Sequence, residues 1–296
     1  MVGAAEGIGQ ESLVTRILLT GANGQLGADI VLAGADHDLH PFGRSELDVT
    51  NTSQVIDAVG QVMPDVIIHA GAYTAVDLCE DDPALAYAVN DVGTANVVAA
   101  ATRFASRLIY VSTDYVFDGT KTGPYVETDT PNPASVYGAS KLAGERSVAE
   151  LGEGGLTVRT SWVCGVHGTN MVKTILRAAE RFPELTFVDD QIGKPTFTAD
   201  LADVLLQLAE RSDAGVMHVT NEGVVSWYEF CREVLQAAGL DPDRVKPCST
   251  HELQPPRPAP RPANSVLANA RFEELGISLL RDFREPLAEV VRDLTS

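Results

Sequence analysis

The stretch RILLTGANGQLG, residues 16–27, runs from a short apolar segment into a turn with glycine at every third position, Gly21, Gly24 and Gly27. RILLT has the length and composition of a strand buried on both faces. A helix is expected from Gln25 to Ala33. A glycine turn between such a strand and helix brings backbone N–H groups and the helix N-terminus against an anion, and missing Cβ atoms let a pyrophosphate approach. The spacing is G-x-x-G-x-x-G rather than the commoner G-x-G-x-x-G. The strand–turn–helix setting is nevertheless the one a dinucleotide site requires. Gln25 and Leu26 join the three glycines as candidate cofactor contacts.

Outward from this turn, apolar runs and helical patterns alternate. Strands are expected at 38–43, 65–72, 107–113 and 156–163. Helices are expected at 52–62, with Asn51 or Thr52 as N-cap, at 84–104, and around Tyr137. This alternation argues for an α/β protein, a Rossmann-type doubly wound parallel sheet with helices on both faces. Beyond residue 165 the rhythm loosens into helices at 170–182, 199–211 and 227–238 and strands at 185–188 and 216–219. Residues 254–263, QPPRPAPRPA, read as an extended proline-rich linker. The expected organisation is a disordered N-terminal extension at 1–14 and a dinucleotide-binding domain at 15–164, to which 198–220 returns. A smaller C-terminal substrate-binding region takes 165–197 and 221–296.

Twenty-two basic residues stand against 41 acidic ones, a formal net charge of −19. That field repels nucleic acid and anionic membranes, while a small anionic ligand needs only a local pocket of amides and arginines. The four cysteines, Cys79, Cys164, Cys231 and Cys248, form no C-x-x-C pair, so a reducing, cytoplasmic setting is expected. Residues 1–14 do not resemble a signal peptide, and no run reaches the length of a membrane span.

After the second strand the chain reads FGRSELDVTN (42–51). No acid stands immediately at the strand end to grip a ribose 2′-hydroxyl. Arg44 and Ser45 are there instead, and an arginine can pair with a 2′-phosphate, favouring NADP over NAD. Asp48, with Val49, is expected beside the adenine. In VYGASKLAGE (136–145), Tyr137 and Lys141 fall one helical turn apart on one face. An ammonium near a phenol pulls the phenol's pKa down from about 10, which would make Tyr137 a usable proton donor.

GANGQLG, LDVTN, HAGAYTAVD (69–77), VSTDYVFDG (111–119) and VYGASKLAGE occur in one order, and together they resemble the extended short-chain dehydrogenase/reductases. RTSWV (159–163), DDQIGKPT (189–196), DLADVLLQLAE (200–210) and RPANSVL (261–267) narrow the likeness to the dTDP-4-dehydrorhamnose reductase family. The resemblance implies a catalytic set of Thr113, Tyr137 and Lys141. Tyr137 would protonate a ketone oxygen, Thr113 would hydrogen-bond it, and Lys141 would also hold the nicotinamide ribose. The small residues of the Tyr137 helix would let it lie close to the cofactor. Ala70, Gly71 and Ala72 would pass beside the cofactor, and Asn90 would bond toward the active-site strand. Thr74, Val76, Asp114, Tyr115 and Trp162 would surround the sugar, with Arg261 and Ser265 at the nucleotide diphosphate.

Related 4,6-dehydratases carry S-T-D-E, whereas this chain has Asp114-Tyr115 and so lacks the second carboxylate. That favours simple reduction with dissociable NADPH, with NADH left open as an alternative. The expected reaction is reduction of the C4 ketone of dTDP-6-deoxy-L-lyxo-4-hexulose to dTDP-L-rhamnose. The alternatives are another dTDP-4-keto-6-deoxysugar or a non-catalytic NADP-binding regulatory subunit. The resemblance also raises Mg2+, for which no ligands are assigned, and a homodimer.

Overall fold

In the computed structural model, which describes residues 14–296, the first half is built of β1 (Arg16–Thr20), α1 (Gln25–Ala33), β2 (Asp38–Phe42), α2 (Thr52–Val62), β3 (Val66–His69), α3 (Val76–Asp81), α4 (Pro83–Tyr87), α5 (Gly93–Phe104), β4 (Arg107–Thr113), α6 (Val136–Ala149) and β5 (Gly155–Thr160). Then come β6 (Val163–Cys164), α7 (Met171–Arg181), β7 (Leu185–Val188), β8 (Ile192–Gly193), β9 (Thr196–Phe197), α8 (Thr198–Ala209), β10 (Gly215–His218), β11 (Val225–Ser226), α9 (Trp227–Ala237), β12 (Val245–Cys248), α10 (Arg271–Leu275) and α11 (Arg284–Thr295). All but Val14 of the extension expected at 1–14 lies outside the described residues.

Six parallel strands form the main sheet in the order β2-β1-β3-β4-β5-β10. The chain runs outward from β1 to β2 and then crosses to β3 on β1's other side. The carboxyl ends of β1 and β3 therefore diverge at a switch point, where open α/β sheets bind ligands. Ile17, Leu19, Ile68, Ile109 and Val158 pack on one face against α1 and α8, and Leu18, Ile67, Leu108 and Tyr110 pack on the other against α2 and α5. This double burial is why the strands read as continuous apolar runs rather than alternating ones.

A separate core of Val172, Ile175, Phe230, Val234, Phe283 and Leu287 holds the C-terminal lobe together. β10 pairs with β5 in the main sheet. Residues 221–296 do not all stay with the second lobe, because Phe272 and Ile277 pack into the sheet core. The Arg271 guanidinium also donates to the carbonyls of Ala214 and Val216 beside β10.

Two expected elements are broken. The helix expected over 84–104 is α4, a π-helical turn at Ala88–Val92, and α5. The strand expected over 156–163 stops at Thr160 because Trp162 takes a left-handed φ of 47°, a conformation that ends strand pairing. Trp162 then stacks face to face on Trp227 at 3.6 Å.

Candidate active site

The glycine turn owes its shape to what lies behind it. Gly21 has φ +75°, and a Cβ there would stand 2.7 Å from the Gly71 nitrogen. A Cβ on Gly27 would reach within 2.2 Å of the Gly21 carbonyl oxygen. The first glycine lets the ends of β1 and β3 touch, and the third lets α1 start directly beneath the turn. Beneath them, Thr20 Oγ1 accepts from Gly71 N and lies 2.6 Å from His69 Nδ1. Burial, and secondarily the charge of Lys141, pulls the His69 pKa down to about 3, so this imidazole is a neutral structural link.

A cavity of about 540 Å³ opens at the carboxyl ends of β1, β3, β4 and β5. One wall holds Gly21, Gly24, Gln25, Leu26, Gly27, Ala70 and Ala72, and the other holds Thr74, Val76, Thr113, Asp114, Tyr115, Tyr137, Lys141 and Trp162. A second cavity, of about 290 Å³, shares Gly21, Gly24, Ala70 and Ala72 with the first and runs over the end of β2, where Arg44, Asp48, Val49 and Gly71 line it. The glycine turn thus lies between a compartment bearing an arginine and one bearing the tyrosine and lysine. An elongated ligand with a central pyrophosphate fits that order, because the absent Cβ atoms leave room at its middle.

Ser135 caps α6 by accepting from Gly138 N, which fixes the start of the helix at Val136. Tyr137 is buried edge-on to Tyr115, with ring centroids 5.6 Å apart, and lines the cavity together with Thr113. Lys141 is 2% exposed. Its Nζ donates to the Val111 carbonyl at 2.8 Å and sits 4.0 Å from the centre of the Tyr110 ring. Burial pulls its pKa down to about 7, with Glu145 acting in the opposite direction.

The electrostatics correct the expected phenol–ammonium coupling. Burial pushes Tyr137 well above its ordinary value, Thr113 acts in the opposite direction, and Lys141 is not among the groups that move it. The lysine is committed to Val111 and Tyr110 instead. The small residues of α6 also serve a purpose other than the expected one. A Cβ on Gly138 would stand 2.0 Å from the Tyr115 carbonyl, and one on Gly144 2.5 Å from the Asn90 carbonyl. These glycines seat the helix on protein backbone and not on the cavity.

Asp114 accepts from Thr113 Oγ1 at 2.9 Å and contacts Ser265, and its other oxygen, Oδ2, is buried without a partner. Burial raises its pKa to about 6. Arg261 and Ser265 do not line either cavity. Arg261 is held by Asp77, its Nη2 donating at 2.8 Å, and Ser265 Oγ turns to the Ile192 carbonyl. Arg257 stands 3.6 Å from the same aspartate. Asn90 links Tyr73 of the loop after β3 to Ser140 of α6. It does not bond to β4 through its side chain.

Two lining residues, Asn23 and Trp227, carried no sequence signal. Asn23 lines both cavities, and Trp227 reaches the larger one from α9 through its stack on Trp162. Gln25 donates to the Val163 carbonyl, accepts from Asn170 and ties the loop carrying Gly168 and Thr169 over the turn. Glu46 folds back so that Oε2 accepts from Gly43 N at 2.6 Å, which places an acid at the end of β2 where the linear sequence put none. Among the described residues no group of three or more His, Cys, Asp or Glu stands together. No helix among them is long and apolar enough to cross a membrane.

The family model of the RmlD substrate binding domain matches residues 15–296. A dTDP-4-dehydrorhamnose reductase of Burkholderia thailandensis is 41% identical over 95% of this chain and 99% of its own. The crystal structure of the dTDP-4-dehydrorhamnose reductase of Bacillus anthracis in complex with NADP is 38% identical, with a TM-score of 0.90 over 95% of this chain and all of that one. A dTDP-4-dehydrorhamnose reductase ortholog of Clostridium acetobutylicum, also solved, is 40% identical with a TM-score of 0.91 over the same shares.

Proposed function

We infer the activity of this chain from one premise: it belongs to the RmlD substrate binding domain family. It is an NADPH-dependent oxidoreductase that reduces the C4 ketone of dTDP-6-deoxy-L-lyxo-4-hexulose and forms dTDP-L-rhamnose. The observation that carries this reading is the convergence of Thr113, Tyr137 and Lys141 on one wall of a cavity whose other wall is the glycine turn. Relatives named for this reaction, one of them solved with NADP, support it.

Bound NADPH supplies the hydride that reaches the ketone carbon. The chain's task is to hold the sugar and to deliver a proton to the oxygen on which charge builds. Tyr137 carries that proton. Its burial keeps the phenol protonated at neutral pH, so it stands ready as a donor. Thr113, beside Tyr137 in the cavity lining, offers a second contact to the developing oxyanion. Lys141 balances the charge left on the phenol when the proton departs, and it holds the nicotinamide ribose. Asp114, Tyr115, Thr74, Val76 and Trp162 surround the sugar, while Arg261 and Ser265 take the diphosphate once Asp77 releases the arginine. Arg44 selects the 2′-phosphate, with Asp48 and Val49 at the adenine end. Having one carboxylate after Thr113, not two, suits a ketoreductase that needs no base at C5.

The test is loss of nicotinamide absorbance when the protein is mixed with enzymatically made ketosugar and NADPH. Tyr137→Phe is expected to lower kcat by about 10²–10⁴-fold while leaving NADPH binding in place. An unchanged kcat would remove the proton donor from the scheme.

A further inference from the structure

Behind the catalytic face of α6 lies a buried ionic group that the reaction scheme leaves unused. Glu145, one helical turn beyond Lys141, is 6% exposed. Its Oε1 accepts from Ser112 Oγ at 2.6 Å and from Arg159 Nε at 2.9 Å, and Oε2 accepts from Arg159 Nη2 at 2.7 Å. Ser112 on β4 and Arg159 on β5 are register partners, so two adjacent strands present their donors side by side to one carboxylate. Arg159 is itself buried, its guanidinium lies over the Phe117 ring, and Nη1 has no partner.

We propose that Glu145 is a positioning residue for the reductase reaction: its anchored carboxylate holds α6 against β4 and β5 and keeps the Lys141 ammonium charged in its buried seat. The inference rests on the proposed function, since it assigns Lys141 the charge-balancing role.

A buried pair of this kind is a weak source of stability, because desolvation offsets most of the attraction. Its placement is more telling. The groups facing Lys141 from the surrounding elements are Tyr110 on β4, Tyr137 and Glu145 on α6, and His69 on β3 behind the Tyr110 ring. Tyr110 and Tyr137 are held protonated by burial and His69 is held neutral, which leaves Glu145 as the anion acting on the lysine. No ion pair joins Lys141 to an acid among the described residues, so the carboxylate acts through space. Without it, burial alone would govern the lysine, which would lose its proton at lower pH. The bidentate arginine prevents the carboxylate from swinging toward Lys141, which would draw the ammonium away from Val111 and the cavity.

The experiment follows the Lys141 titration directly. The full chain is labelled with 13C at the lysine ε-carbon, and the Lys141 resonance is identified by its loss in Lys141→Met. Glu145→Gln is expected to lower the Lys141 midpoint by on the order of one pH unit and to move the basic limb of the kcat profile down with it. Arg159→Gln, which removes the opposing cation, is expected to move both the other way. Because Glu145→Gln strands a buried guanidinium and can fail to fold, the neutral pair Glu145→Gln/Arg159→Met is measured beside it and is expected to show a smaller downward shift. A folded Glu145→Gln or double variant with its midpoint at the wild-type pH overturns the proposal, as does an Arg159→Gln variant that shifts downward. The resonance needs no substrate. If the wild-type protein fails to reduce the ketosugar, the functional reading falls while the midpoints still decide what Glu145 does.

Discussion

At the floor of the larger cavity, Asp114 is 2% exposed and one of its oxygens meets no donor. Burial raises its pKa from 3.8 to about 6, and the hydrogen bond from Thr113 offsets this only in part. A carboxyl raised on folding penalises the folded state only where it must ionise. The penalty is absent below pH 4, where folded and unfolded chains are both protonated, grows between pH 4 and 6, and is complete above 6. Asp114→Asn should therefore stabilise the protein at pH 7 by roughly 1–3 kcal/mol and give no gain at pH 4. Urea unfolding at the two pH values measures this, and equal stabilities at pH 7 would mean the carboxylate is already satisfied. Asp114, Thr113, Tyr137 and Lys141 were legible in the sequence because a strand end and one helical turn fix their neighbours locally. The state of the Lys141 ammonium was not legible. It depends on Val111, Tyr110 and Glu145, of which only Glu145 lies on the same element.

Elements followed the same division between local and distant causes. β1, α1, α2, β4 and β7 lie where their apolar runs and caps put them, and Asn51 caps α2 through Ser53 and Gln54. The helix expected at 84–104 breaks because Asp82 caps α4 at Pro83 and the next turn opens into a π-helix. Asn90 and the close approach of Gly144 on α6 accompany that opening, and the apolar pattern of 84–104 does not announce it. The glycine turn is the opposite case, since its shape follows from local spacing and from the backbone packed behind it. Gly27→Ala would force a Cβ to within 2.2 Å of the Gly21 carbonyl oxygen and 2.7 Å of Ala22 Cα. Backbone atoms cannot step aside as a side chain can. The substitution should cost about 1–3 kcal/mol of stability and weaken NADPH binding at least tenfold. Fluorescence titration with NADPH reads the second effect, and wild-type affinity would show that the turn does not hold the pyrophosphate.

On the scale of the whole molecule, the sheet is completed by chain that arrives late. The alternation of strands and helices up to residue 164 made the first five strands readable, and 198–220 was expected to return to them. The contribution of α10 was not, because five residues near the C-terminus carry no periodicity that could reveal a distant partner. We propose that 15–164 is a dinucleotide-binding unit that cannot fold alone. In a fragment of residues 14–164, the outer edge of β5 would lose β10, exposing unpaired backbone groups. The sheet face formed by Ile17, Leu19, Ile68, Ile109 and Val158 would lose Leu201, Leu205, Leu208, Met217 and Phe272, all fully buried in the complete chain. Removing this cover leaves α1 to shield a face that it shares with α8 and α10 in the complete chain. The fragment is expected to unfold in urea without a cooperative transition by circular dichroism, whereas the full chain gives a single sharp one. A sharp transition from the fragment would mean that the late-arriving layer decorates the nucleotide half and is not needed to build it.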